Sequence, residues 1–365
     1  MPFVLGRLLK KISEARRLSK RRGVVSTIHR TMCAIQILFI YSLILPWGLS
    51  AAPDPKVIEG AKKEGQLVWY NTLVQPHAQG VIDLFMKQYP FIHAAFWRGG
   101  GTQVYSKLMI EGRAGRNDWD TVSLTNPEFV FDLKQRNIIN RYSSPEREMF
   151  SEDLKDQEGY WTGYYALPTG LGFNTQMVRK DQVPKTYQDL LSPVWKGKKI
   201  SVDTEGQEFL MGLIQSWGKE KAVDYLKKLA AQEPALGRGN NKRIELTAAG
   251  EFPLVIAFTH SIEANKTKGA PVDWVNLEPV VVQIDSIMLG ARAPHPNAAK
   301  LFIDFLLSQQ GQQLLQSYRR PTLRNGVEPD PPRLIRGFKR IVLHPERAQD
   351  AQESLRLYRE MLRLP

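Results

Sequence analysis

Arg98-Gly-Gly-Gly-Thr-Gln-Val-Tyr-Ser-Lys-Leu-Met-Ile-Glu111 is the stretch on which the fold turns. Before it, Phe91-Ile-His-Ala-Ala-Phe-Trp97 reads as a short buried strand. After it, Val104, Leu108 and Ile110 begin a helical apolar spacing. Three glycines and a threonine therefore join a strand to a helix. Glycine lets the backbone turn sharply and approach a ligand closely. Thr102 is a competent N-cap. A helix begun this way aims free N–H groups and partial positive charge at whatever lies before it. Gly99, Gly100, Gly101 and Thr102 are accordingly expected to seat a carboxylate, phosphate or phosphonate. A plain strand-to-helix turn carries the same signature. The triple glycine matches neither Gly-x-x-x-x-Gly-Lys-Ser/Thr nor Gly-x-Gly-x-x-Gly, so it makes no case for a nucleotide.

Working outward, the same alternation repeats. Residues 53–64 read as a helix stopped by Gly65, and Leu67-Val-Trp-Tyr-Asn71 as a buried strand. Val81, Ile82, Leu84, Phe85 and Met86 form the apolar face of a second helix ending before Pro90. Trp119-Asp-Thr-Val-Ser-Leu124 is a third strand, and Thr125-Asn126-Pro127-Glu128 opens a helix. This spacing predicts a parallel α/β sheet. Ala166-Leu-Pro-Thr-Gly-Leu-Gly-Phe-Asn174 runs extended and reads as the crossing into a second domain. Further strands are expected at 200–203, 252–258 and 272–276, with helices at 209–217, 220–231, 244–249 and 262–268. Residues 279–285 lead back. Residues 297–318 read as one amphipathic helix in which Gly311 marks a break or bend. The expected organisation is a first lobe of 53–165 plus 279–325, a second lobe of 166–278, and a basic helical tail over 326–365.

The first 52 residues stand apart. Residues 1–30 carry nine Lys/Arg against one acid, Glu14, and residues 32–45 are apolar. Ser50-Ala51-Ala52 then supplies small residues for a cut after Ala52. This is the pattern of a secretory signal peptide; retention as an anchor is the alternative. The leader's surplus of eight positive charges, taken from the chain's +13, leaves the mature part near +5. No basic stripe interleaved with aromatics remains, which argues against nucleic acid. The single cysteine, Cys33, lies in the leader, so disulfides and thiol catalysis are excluded from the mature chain. Removing 52 residues from 365 leaves 313, enough for about two domains.

Several stretches resemble one family. They are Lys63-Glu-Gly-Gln-Leu-Val-Trp-Tyr70, Asp156-Gln-Glu-Gly-Tyr-Trp-Thr-Gly163, Gly172-Phe-Asn-Thr175, Pro193-Val-Trp-Lys-Gly-Lys198, Ala248-Ala-Gly-Glu-Phe-Pro253 and Ala293-Pro-His-Pro-Asn-Ala-Ala-Lys-Leu-Phe-Ile-Asp-Phe-Leu-Leu-Ser308. Together they resemble the extracellular solute-binding proteins of bacterial ABC importers, in the ferric-iron-binding-like branch. The resemblance runs from about Pro55 to Arg324. It implies the type 2 periplasmic-binding-protein fold, two α/β lobes of mixed, mostly parallel sheet around a ligand cleft, closing on a hinge. It also implies a periplasmic monomer that hands a small solute to an inner-membrane permease. The branch's adjacent tyrosines fall here on Phe258-Thr259-His260, its first-loop histidine on Val74 with His77 three further on, and its carboxylate near Thr125 and Asn126. Ferric iron wants anionic oxygen ligands, so no metal is assigned.

The cleft is expected where strands end and helices begin. That places Asn71, Thr72, Gly99, Gly100, Gly101, Thr102, Thr125, Asn126, Thr169, Thr204, Gly206 and Gln207 around the ligand. Asn240, Asn241, Thr259, His260 and Asp285 are expected to join them. Neutral donors and helix dipoles suit a small anion. Simple capping is the alternative for each loop. Arg238 could clamp a carboxylate or stand in solvent, and Tyr164-Tyr165 reads as packing. No cofactor is implied. No Gly-x-Ser-x-Gly elbow, His-Glu-x-x-His or cysteine nucleophile points to an enzyme. Asp203 and Glu205 read as local caps. A scaffold or sensor using the Arg-rich tail is a third class.

Overall fold

A computed structural model describes residues 53–364. The leader, Cys33 and the cut after Ala52 lie outside the described residues. Helix α1 (Pro55–Glu64) starts where the Asp54 carboxylate accepts the Lys56 N–H at 2.8 Å, and ends at Gly65 with φ 67°. Strand β1 (Gln66–Asn71), α2 (Gln75–Gln88), β2 (His93–Arg98), α3 (Gly101–Arg113), β3 (Thr121–Leu124), α4 (Pro127–Gln135) and the short β4 (Ile139–Asn140) follow. β1 pairs in parallel with both β2 and β3. β2 is the edge of the sheet and leaves His93 and Ala95 exposed, so the buried strand expected at 91–97 is only half buried. One face of the sheet packs on Ile82, Phe85 and Phe302, the other on Val104, Leu108 and Val130.

Strand β5 (Thr162–Asn174) then runs from the first sheet into a second. The second sheet holds β6 (Ile200–Asp203), β7 (Ala235–Gly237), β8 (Leu254–Phe258) and β9 (Val272–Val275). Helices α5 (Gln207–Trp217), α6 (Lys219–Ala230), α7 (Asn240–Ala248) and α8 (Thr259–Lys266) flank it. Strand β10 (Val280–Gly290) returns along β5, antiparallel to it, and reaches β3. Its end lies five residues beyond the sequence reading, because its far half is what closes the first sheet. Every antiparallel pair involves β5 or β10, so the mixed sheet is the direct result of these two crossings. The result is the two-lobed α/β architecture of the type 2 periplasmic binding proteins.

The expected single helix over 297–318 is two, α9 (Pro296–Leu307) and α10 (Gln309–Ser317). The break is at Ser308, not Gly311. Ser308 is extended and its hydroxyl accepts the Gly311 N–H at 3.2 Å. Gly311 is needed for a different reason: a Cβ there would lie 2.3 Å from the Phe305 carbonyl. The C-terminal segment folds back onto the second lobe. β11 (Arg340–Val342) pairs with β10, and α11 (Ala351–Leu362) buries Leu357, Tyr358 and Leu362 in that lobe's core. The Arg-rich run is drawn into contacts: Arg333 lies 4.0 Å over the Trp274 ring and pairs with Glu263 and Asp273, Arg336 with Glu328, and Arg340 with Asp153. Among the described residues no helix is long and apolar enough to cross a membrane.

Candidate functional site

The cleft lies where β5 and β10 pass from one sheet to the other. Asp285 on β10 sits opposite Tyr165 on β5 and is fully buried. The Thr72 hydroxyl, just beyond β1, donates to Asp285 Oδ2 at 3.0 Å, while Oδ1 has no partner. Burial pushes the Asp285 carboxyl up to about 6, against the pull of Tyr165, Thr72 and Arg320.

Arg320 is the centre of this group. It follows α10 and is held beside β5 because the next carbonyl, that of Pro321, accepts the Ala166 N–H at 2.9 Å. Its guanidinium is stacked on the Tyr165 ring at 5.0 Å. One N–H group reaches His260 Nε2 at 2.6 Å and another faces His77 Nδ1 at 3.5 Å. Burial first, and then the Arg320 charge, holds both imidazoles neutral: His260 falls well below its ordinary value and His77 to about 4. A neutral His260 that accepts through Nε2 carries its proton on Nδ1. That Nδ1, the Arg320 Nε and the Thr259 hydroxyl are all buried without a hydrogen-bond partner. Arg320 is 7% exposed, and no carboxylate among the described residues comes within ion-pairing distance of it.

A second group lies where the lobes meet. Asn126, at the start of α4, donates through Nδ2 to Glu208 Oε1 of α5 at 2.8 Å. Thr169, Asp203, Gly206, Glu208, Asn240, Arg243, Gln283 and Tyr358 line a cavity of about 50 Å³ there. Gln283 and Asp285 alternate on one face of β10, about 7 Å apart at the strand rise. The two groups are therefore neighbours along β10.

The predicted residues distribute as follows. His260 bonds Arg320, Asp285 feels its charge, Thr72 bonds Asp285, and Thr259 precedes His260 in the chain. Asn126, Thr169, Gly206, Gln207 and Asn240 gather around Glu208, with Gln207 donating to Glu208 Oε1 at 3.2 Å. Asn71 is spent on its own turn, accepting the Leu73 N–H at 3.0 Å. Gly99 packs against the Trp97 ring, and Thr204 donates its N–H to the Gly237 carbonyl. Thr102 is not the N-cap: α3 starts at Gly101, capped by Gly100, whose N–H goes to Gln103 Oε1 at 2.9 Å. Thr102 and Asn241 are exposed in first helical turns, and Thr125 makes no hydrogen bond to either group. The helix expected from 244 starts earlier: α7 begins at Asn240, where the side chain accepts the Phe258 N–H at 3.1 Å. Arg238 is exposed and pairs with Glu205, and Asp203 caps the Glu205 N–H as read.

Sequence reasoning missed Arg320, Glu208, Gln283 and Arg243, and placed His77 outside the expected position. The lining is also more acidic than expected, since the buried Glu208 is added to the expected Asp285. Of the three glycines, Gly101 and Gly99 are packed: a Cβ on Gly101 would fall 1.8 Å from Asn126 Oδ1, whereas at Gly100 the sole neighbour is Gln103 Oε1 at 3.7 Å. Gly101→Ala should therefore push Asn126 off Glu208 and cost about 1 kcal/mol. Gly100→Ser should change stability by no more than about 0.5 kcal/mol. Denaturant titration of the two variants checks this, and equal losses would contradict the contact.

A two-lobed α/β protein with a polar cleft crossed by two strands is a periplasmic-type binding protein. The chain belongs to the bacterial extracellular solute-binding proteins, whose family pattern it matches over residues 121–336. An uncharacterised protein of Haemophilus influenzae is 26% identical over 266 residues, 70% of this chain and 76% of that one. The Fe(3+)-binding periplasmic protein of Serratia marcescens is 22% identical, over 71% of this chain and 78% of its own length. Among solved structures, iron-bound HitA from Pseudomonas aeruginosa superposes with a TM-score of 0.72 at 21% identity, covering 81% of this chain and 99% of that chain. AfuA from Actinobacillus pleuropneumoniae, with fructose-6-phosphate bound, gives 0.70 at 21% identity, over 82% and 99%. The ferric-iron-binding-like branch read from the sequence motifs is borne out by these likenesses.

Proposed function

We propose that this chain is the exported, periplasmic solute-binding component of an ABC importer. Its cleft captures a small anion, a carboxylate, phosphate or phosphonate, and presents it to an inner-membrane permease. The observation that carries the anion is Arg320. A buried guanidinium is ordinarily paired, and this one makes no direct ion pair with a carboxylate among the described residues, although Asp285 lies near enough to feel its charge. Its neighbours Thr259 and His260 add two more unpartnered donors. An anion satisfies all three, with the bidentate geometry guanidinium favours. The family membership supports the transport role, and the fructose-6-phosphate in AfuA supports a phosphate-bearing solute. We take the lobes to be 53–165 with 279–325, and 166–278, hinged at β5 and β10 in a monomer.

Ferric iron is the second reading. It is favoured by the names of the relatives and by Tyr165, Asp285, His77 and His260 lying around one point. Against it, Arg320 already occupies His260 Nε2, and no group of three or more His, Cys, Asp or Glu among the described residues is placed to hold a metal. A thermal-shift panel of carboxylates, phosphates, phosphonates, ferric citrate and neutral solutes separates the two. Small anions should raise Tm, and ferric citrate should give no tyrosinate charge-transfer colour. A neutral or cationic best hit overturns the anion; a strong iron band overturns the ranking.

A further inference from the structure

We propose that closure of the cleft is coupled to proton uptake at Glu208, so that the neutral carboxyl holds the lobes together and the carboxylate releases them. This rests on the cleft being the solute site, not on which anion fills it. The geometry comes first. Glu208 stands at the start of α5 in the second lobe and is 4% exposed. Its Oε1 accepts from Asn126 Nδ2, which belongs to the first lobe, and from Gln207 Nε2 on its own helix. It is thus part of the seam that opens when the lobes part. Every other titratable group facing it carries or can carry negative charge: Glu128 on α4, Asp203 at the end of β6, and Tyr358 on α11. The nearest cation, Arg243 on α7, is already spent on Asp203 Oδ2 at 2.8 Å. Glu128 is itself pushed up by burial, and its Oε2 has no partner.

In this arrangement burial, then Glu128 and Asp203, push the Glu208 carboxyl up to about 8, although the Asn126 bond lowers it. Hydrated in an open cleft, a glutamate titrates near about 4.3. Between these values the closed form holds one proton more than the open form. Closure is then fully favoured below the open value, weakens by up to about tenfold per pH unit above it, and has lost the contribution above about 8. A periplasmic binding protein with this device grips its solute in acid and loosens it as the medium turns alkaline.

The test needs no ligand, which keeps its failure separate from failure of the anion reading. Small-angle scattering of the exported protein is measured from pH 5 to 9.5 for the wild type, Glu208→Gln and Glu128→Gln. Glutamine keeps an oxygen for Asn126 and cannot ionise. The wild-type radius of gyration should grow with pH and level off above about 8. Glu208→Gln should stay compact and flat. Glu128→Gln, which removes the neighbouring charge that raises the Glu208 value while keeping a side-chain oxygen for its Asn126 contact, should level off at a lower pH, and it decides the matter even if Glu208→Gln folds poorly. A wild-type radius that does not change with pH, a profile that Glu208→Gln shares with the wild type, or a profile that Glu128→Gln leaves unmoved overturns the proposal.

Discussion

Arg320→Met is expected to weaken binding of the best anionic ligand by about 30- to several-thousandfold, the range for removing one partner of a buried charge pair. The fold should survive it. Arg320 bonds His260 and stacks on Tyr165, but no carboxylate among the described residues depends on it for an ion pair. Methionine replaces it with an unbranched apolar chain, and Asp285, which the Arg320 charge helps to ionise, becomes easier to protonate. A buried charge costs desolvation that an apolar chain of similar size avoids. Stability and affinity should therefore part company. Isothermal titration with the leading anion, set beside a denaturant melt, reads both. Loss of fold together with binding would mean that Arg320 is a structural strut and that the cleft's charge lies elsewhere.

Tyr358→Ala should cost the second lobe about 3–5 kcal/mol, the range for deleting a large buried aromatic. The ring is 1% exposed in the core formed by α5, α6 and α11. Its hydroxyl donates to the Asp203 carbonyl at 2.5 Å and lies where a Cβ on Gly206 would fall, 2.5 Å away. It therefore braces the loop that carries Gly206 and Gln207 into the cleft. Tyr358→Phe removes the hydrogen bond alone and should cost about 1 kcal/mol. Fluorescence-monitored unfolding of both checks the pair. A small loss for the alanine variant would show that α11 is merely apposed, not part of the core.

The elements that pack by regular spacing were legible from the sequence. α1 is bracketed by Asp54 and Gly65, and β1 and β3 are short apolar runs between turns. Both crossings could be seen, since β5 is an extended stretch bounded by aromatic residues and β10 a valine run. What failed is what depends on contacts far apart in the chain. Ser308 breaks the long helix because its hydroxyl caps the next one, whereas Gly311, the obvious breaker, is there to let the Phe305 carbonyl approach. Thr102 lost the N-cap to Gly100 because the Gln103 side chain reaches back to the Gly100 N–H. The cleft loops were found because strand ends beside helix starts are a topological rule. The charged members were not. Arg320 lies sixty residues from His260 and follows a helix whose end says nothing about the hinge. Glu208 looked like any acidic residue of a first helical turn until Asn126 was found across the seam. His77 was visible only as a histidine three places beyond the position the family resemblance implied.

The most direct test of an anion held by Arg320 is a crystal structure of the protein grown with the best anion from the thermal-shift panel. Its acid oxygens should lie within hydrogen-bond distance of the Arg320 guanidinium, with Thr259 and His260 Nδ1 completing the shell and the two lobes closed over it. An anion seated away from Arg320, or a cleft that holds a neutral solute while Arg320 keeps only its histidine partners, would contradict that claim.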